Sequence, residues 1–293
     1  MEHAHIPEIP VSIFSLKHTF ESAQPLTFYA DYNEVSNTIV YPYDSSVINL
    51  MHSGDDEKGT LHIMGRHAAP ATGEVSRRFR LSDDMQKIYK KINTDQSMAK
   101  AISAYRGMRL TLNDPWETTL VFIISQFNNV KRIRLITRNI IQRFGKEIYD
   151  SGGKAVAKGF PQSADLMKGT EKDFRDLGAG FRAKYIKSAA EYCTNNLNLG
   201  KLPAGKYEKL RDSLMEIDGV GGKVADCIAL MGYGNLEAFP IDVHIKRAME
   251  RIYFKGRKMG MAQIQEFAEG RWGVYRGYAQ QYLFHNARVS GRK

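Results

Sequence analysis

Two hydrophobic periods divide the chain. Through about residue 92 the apolar positions come in short runs that read as strands. Val11-Ser12-Ile13-Phe14-Ser15-Leu16 alternates, and Thr38-Ile39-Val40-Tyr41 and Ser46-Val47-Ile48-Asn49-Leu50 are short and β-branched. Gly54-Asp55-Asp56 and Lys58-Gly59 bracket a hairpin turn before Thr60-Leu61-His62-Ile63-Met64. From about Leu81 the spacing turns helical. Met85, Ile88, Tyr89 and Ile92 share one face, and Met98, Ile102 and Tyr105 share another. The pattern predicts an α+β chain: an antiparallel β-rich domain over 1–92, then a mostly helical core over 93–293.

Within the helical part, Asp114-Pro115-Trp116-Glu117 is a helix start. Asp114 can accept orphan N–H groups, Pro115 suits the first position, and Glu117 is placed to close a capping box. The apolar run 118–126 makes that helix central, and Phe127-Asn128-Asn129 interrupts it. The next helix, 130–144, turns Ile133, Ile136, Ile140, Ile141 and Phe144 inward and ends at Gly145. Its other face carries Lys131, Arg132, Arg134, Arg138 and Arg143. Ser151-Gly152-Gly153 and Gly159-Phe160-Pro161 mark loops. A short helix begins at Ser163, and the turn Leu177-Gly178-Ala179-Gly180-Phe181-Arg182 feeds a helix over 183–195. Segments 207–217 and 223–231 form a helical pair, and 242–251 and 273–289 are the last helices.

The pair over 207–231 carries the chemistry. Its limbs join through Gly219-Val220-Gly221-Gly222. Glycines there allow positive φ and close approach of a ligand, and the second helix offers free N–H groups and a positive dipole end to a phosphate. An ordinary helix–helix turn explains the glycines equally well. Lys223 lies just inside that amino end, where an ammonium is electrostatically misplaced and burial would favour the free amine, a nucleophile. A surface lysine touching phosphate is the plainer alternative. Asp242, after Phe239-Pro240-Ile241, starts another helix, and a cap role is compatible with a catalytic one.

Composition narrows the partners. The 293 residues are 43% hydrophobic and 25% charged, enough for a buried core, and the formal charge of +10 favours polyanions. No apolar run approaches the roughly 20 residues of a membrane span. Met1-Glu2-His3-Ala4-His5 lacks the basic and apolar regions of a signal peptide, so an intracellular protein is expected. Cys193 and Cys227 are the only cysteines, too few for a disulfide framework or a cluster. No metal and no cofactor are expected.

Gly219 to Ile228 followed by Pro240-Ile241-Asp242-Val243-His244 resembles the helix–hairpin–helix DNA glycosylases, and among them the 8-oxoguanine DNA glycosylases. Arg106-Gly107 with Arg109-Leu110, Ser125-Gln126-Phe127-Asn128-Asn129, the 177–185 turn and Gly277-Tyr278-Ala279-Gln280-Gln281-Tyr282-Leu283-Phe284 carry the same resemblance. Ser22-Ala23-Gln24 is similar to the family's Ser-Gly-Gln turn. The resemblance spans residues 10–290. It implies a TBP-like β-domain fused to two helical subdomains, with base excision from duplex DNA holding an oxidised purine.

By the resemblance, Lys223 attacks the sugar, expels the base and forms a Schiff base, and β-elimination then nicks the strand. Asp242 stabilises the sugar cation. Cys227 and Phe284 sandwich the flipped base, Gln280 reads its edge, and Ala23 stands where a glycine carbonyl accepts from the oxidised purine's N7–H. Gly219, Val220, Gly221, Gly222 and His244 take lesion-strand phosphates. Asn128, Asn129, Arg132 and Arg182 hold the opposite strand, and Phe181 is the intercalating wedge. Three positions depart from the family: Phe127 replaces an asparagine, Phe181 a tyrosine and Ala23 a glycine. The alternatives are an alkylated-base glycosylase, which normally lacks the lysine, a non-catalytic DNA-binding module, and a basic scaffold protein.

Overall fold

The amino-terminal runs pair because each turns alternate residues to one face. In the computed structural model, which describes residues 6–43, 46–65, 68–150 and 152–290, they form β1 (Glu8–Ser12), β2 (Asp31–Asn33), β3 (Thr38–Tyr43), β4 (Ser46–Gly54) and β5 (Lys58–Met64). Met1–His5 and Ser151 lie outside the described residues. The antiparallel order is β1-β5-β4-β3-β2. Gly54 pairs with Gly59, and the Asp55 carboxylate accepts from the Glu57 and Lys58 N–H groups, which closes the expected hairpin. Ile39, Tyr41, Ile48, Leu50, Leu61 and Ile63 are buried with Ala71 and Val75 of α2 (Ala68–Arg78).

The sheet region departs from the alternation in two places. The strand expected over 11–16 stops at Ser12. Ile13 has φ +48, and Ser15 caps α1 (Leu16–Glu21) by accepting from the His18 N–H. Helix α2 occupies ground expected to be β-rich. Proline is tolerated in a first turn, as at Pro70, and Gly73 faces open space.

The remaining helices are α3 (Met85–Ile92), α4 (Gln96–Ala104), α5 (Pro115–Ser125), α6 (Val130–Phe144), α7 (Ser163–Leu166), α8 (Glu171–Asp176), α9 (Ala183–Asn195), α10 (Tyr207–Met215), α11 (Gly222–Gly232), α12 (Val243–Tyr253), α13 (Met261–Trp272) and α14 (Arg276–Ser290). Among the described residues no helix is long and apolar enough to cross a membrane. A small hairpin of β6 (Glu147–Tyr149) and β7 (Ala155–Lys158) flanks the expected glycine loop. Helix α13 was not legible in the pattern, because it buries only Ile264, Ala268 and Trp272.

Helix α5 is central, with every residue from Trp116 to Ile124 buried. Asp114 accepts from the Trp116 and Glu117 N–H groups at 2.9 and 3.1 Å, a cap worth about 1 kcal/mol. The expected capping box does not form. Glu117 is carried to the β-domain side, where its carboxylate accepts from the Tyr29 hydroxyl at 2.9 Å and lies 3.5 Å from Arg78. Burial pushes that carboxyl up and the Arg78 charge opposes the shift. Arg109 ties the sheet to the helices: its buried guanidinium donates to the carbonyls of Ser12, Ile13, Arg80 and Asp83.

Candidate active site

The hairpin is fixed by close packing. Gly219 has φ +84, and a Cβ there would meet the Tyr185 ring at 2.6 Å. A Cβ on Gly222 would lie 2.3 Å from the Arg211 guanidinium. Only glycine fits at either place without displacement. Gly221 is the N-cap of α11 and supplies no side-chain cap, so the first turn keeps its N–H groups for another acceptor. Val220 is different: its side chain is buried, so only its backbone is available to a ligand. Asp226 clamps the two limbs, accepting from the Tyr207 hydroxyl at 2.7 Å and the Arg211 Nε at 2.8 Å. Sequence reasoning passed over it. Its signal was a carboxylate inside an apolar run, which burial obliges to find partners.

Lys223 projects from this turn into a cleft of about 510 Å³. Cys227, Asp242 and His244 line the same cleft, as do Gln280 and Phe284 from α14. Ala23 reaches it from the β-domain, and Asn128 and Asn129 from the turn after α5. Phe122, Arg247 and Gln281 also line it and were not singled out in the sequence. The Lys223 ammonium stands 5.2 Å from the centre of the Phe122 ring. Burial pushes the Cys227 thiol up to about 11, against the opposing charge and hydrogen bond of Lys223. Cys227 therefore stays a neutral thiol at physiological pH and serves as a wall. Asp242 caps α12, accepting from the Ile245 N–H at 2.7 Å, so its carboxylate is held in place by the helix it starts.

Gln280 and Ala23 are pinned from behind. Gln280 donates its amide to the Pro240 carbonyl at 3.1 Å, and its Oε1 is buried without a partner among the described residues. Ala23 has φ +60, a conformation that costs a non-glycine residue about 1 kcal/mol. Its neighbours hold it there. Gln281 donates to the Ser22 carbonyl at 2.8 Å, and Gln24 donates to the Ser22 hydroxyl and the Arg109 carbonyl, both at 2.8 Å. The Gln24 Oε1 accepts from the Thr111 N–H at 2.7 Å.

The other expected DNA-facing residues lie outside the cleft lining. Phe127 is 94% exposed at φ +47, and Phe181, 45% exposed, has its ring centre 6.2 Å away. Arg132 is exposed and makes one long bond, 3.4 Å, to the Gly178 carbonyl. Arg182 is buried and committed: its guanidinium donates to the carbonyls of Gln126, Phe127 and Ala179 and covers the Phe181 ring at 4.4 Å. It braces this rim. Asn129 caps α6 through the Arg132 N–H, and Asn128 donates to the Ile124 carbonyl. Gln126 crosses to the hairpin and donates to the Gly219 carbonyl at 3.0 Å.

Known proteins share this arrangement. Residues 120–273 match the family described as HhH-GPD superfamily base excision DNA repair protein, and residues 8–119 match the 8-oxoguanine DNA glycosylase, N-terminal domain. A probable N-glycosylase/DNA lyase of Methanothermobacter thermautotrophicus is 31% identical over 73% of this chain and 73% of its own length. The N-glycosylase/DNA lyase of Saccharomyces cerevisiae is 30% identical over 70% of this chain, which spans 64% of the yeast protein. The 8-oxoguanine glycosylase/lyase of Clostridium acetobutylicum, solved with dsDNA containing cytosine opposite to 8-oxoG, superposes with a TM-score of 0.86 at 30% identity, covering 99% of this chain and 100% of that one. The chain belongs to the HhH-GPD superfamily of base excision DNA repair proteins and, within it, to the 8-oxoguanine glycosylase/lyases.

Proposed function

We propose that this chain excises 8-oxoguanine from double-stranded DNA and then cuts the abasic strand, with Lys223 as nucleophile. One observation carries the reading: Lys223 and Asp242 come from different helices and open into the same cleft, walled by Cys227 and Phe284. The flipped base enters that cleft because its reacting carbon is out of reach inside the duplex. The Lys223 amine attacks C1′, and the glycosidic bond breaks with its electron pair leaving on the base, which is protonated. Asp242 stabilises the cationic sugar as the bond lengthens. Loss of a proton from nitrogen and opening of the sugar ring give the Schiff base. Removal of a C2′ proton then breaks the C3′–O bond.

Base choice falls to the pinned groups. The free Oε1 of Gln280 accepts from the purine's Watson–Crick N–H groups. The Ala23 carbonyl accepts from N7–H, which guanine lacks. Positive φ at Ala23 answers the departure from glycine, since the backbone turn is kept by the ties on Ser22 and Gln24. The N–H groups at the start of α11 and the exposed His244 take lesion-strand phosphates. The protein acts as a monomer on double-stranded DNA inside the cell. Lys223 favours this reading over an alkylated-base glycosylase, and no metal or cofactor enters the steps.

Borohydride trapping on a duplex holding 8-oxoguanine tests the proposal. Wild type should form a covalent adduct, and Lys223→Gln should form none while binding the lesion within about threefold of wild type. An adduct in the variant would overturn the nucleophile assignment. No excision of 8-oxoguanine by wild type would overturn the substrate.

A further inference from the structure

Phe127 is the most exposed aromatic residue described, and its backbone is left-handed, which a bulky side chain rarely adopts. It is nevertheless held. Its carbonyl accepts from Arg182 at 2.9 Å, and the preceding Gln126 carbonyl accepts from the same guanidinium at 2.7 Å. The Gln126 amide anchors the turn to Gly219. An apolar ring presented to water on a braced, strained turn, directly before the two cleft-lining asparagines, is built to meet something. Phe181 stands beside it at 6.2 Å with the planes inclined at 61°. Exposed Lys131 and Arg132 follow Phe127 in sequence and exposed Lys184 follows Phe181, a setting that suits a nucleic-acid strand.

Several polar groups here are engaged by the turn itself: Arg182 is committed to three carbonyls, Asn128 to Ile124, and the Asn129 side-chain oxygen to the Arg132 N–H. Arg132 keeps an exposed guanidinium, with one 3.4 Å bond to the Gly178 carbonyl. A flipped nucleotide leaves a gap in the stack and an orphaned base across from it. We propose that Phe127 stacks on that orphaned base, with Phe181 wedged beside it, so that the base opposite the lesion is gripped by its face. This rests on the base-flipping function proposed above and adds how the base across the duplex is held.

One measurement tests it on the full chain. A duplex carries a tetrahydrofuran abasic analogue opposite 2-aminopurine, whose fluorescence is quenched by stacking and which needs no excision. At saturating protein, the Phe127→Ala complex should be about threefold brighter than wild type, and Phe127→Asn, which tolerates the left-handed backbone, should match Phe127→Ala. Equal brightness of wild type and both variants would overturn the proposal. If wild type excises no 8-oxoguanine, the substrate assignment fails, and the fluorescence still decides the role of Phe127.

Discussion

The lesion cleft and the rim beside it are built by opposite means. In the cleft, most key groups stand on relaxed backbone. Asp242 is an N-cap, Lys223 follows a glycine-capped helix start, and Gly219 and Gly222 fill places where a Cβ would collide. On the rim, Phe127 is left-handed and exposed, and an arginine is buried to hold three carbonyls. Ala23 is the one cleft residue that shares the rim's left-handed strain, and it too is clamped by neighbours. The proposed nucleophile and its partner therefore stand on relaxed elements, and the proposed contacts to the opposite strand stand on strained ones.

Asp242→Asn should separate charge from cap most sharply. Asparagine caps nearly as well as aspartate, so thermal stability should hold while single-turnover excision falls about a hundredfold or more. Unchanged turnover with a lower melting point would reduce Asp242 to a cap. Gln126→Ala comes next, because it cuts the bond between rim and hairpin. Excision should drop about tenfold, and urea melts should show a loss of about 1 kcal/mol. An unchanged rate would mean that the two regions act separately. The smallest effect belongs to Ala23→Gly, which relieves the positive φ. Stability should rise by about 1 kcal/mol, and the ratio of 8-oxoguanine to guanine excision should stay as in wild type. A collapse of that ratio would show that the methyl group, and not only the carbonyl, selects the base.

Much of the cleft was legible because local rules and global placement agree there. The cap at Asp114, the inward face of α6 and the glycine turn all follow from residue type and spacing. The misreadings have a common cause, a tertiary partner that outbid a local one. Glu117 left its expected capping role for Tyr29 and Arg78, and the 11–16 alternation broke where Ser15 found a helix to cap. The bracing by Arg182 was not legible either, since nothing in the local sequence records three carbonyls converging from two loops. Helix α13 was hidden by a sparse apolar stripe.

The side chain of Gln126 binds the hairpin, and its carbonyl is bound by the brace under Phe127. One residue thus joins the two parts proposed to touch the two strands. A mismatch that lifts the rim pulls on the turn that carries the nucleophile, over a path of two hydrogen bonds. Engineering toward a new opposite base and engineering toward a faster cut are then one problem with one shared hinge, and variants chosen for either trait should be screened for both.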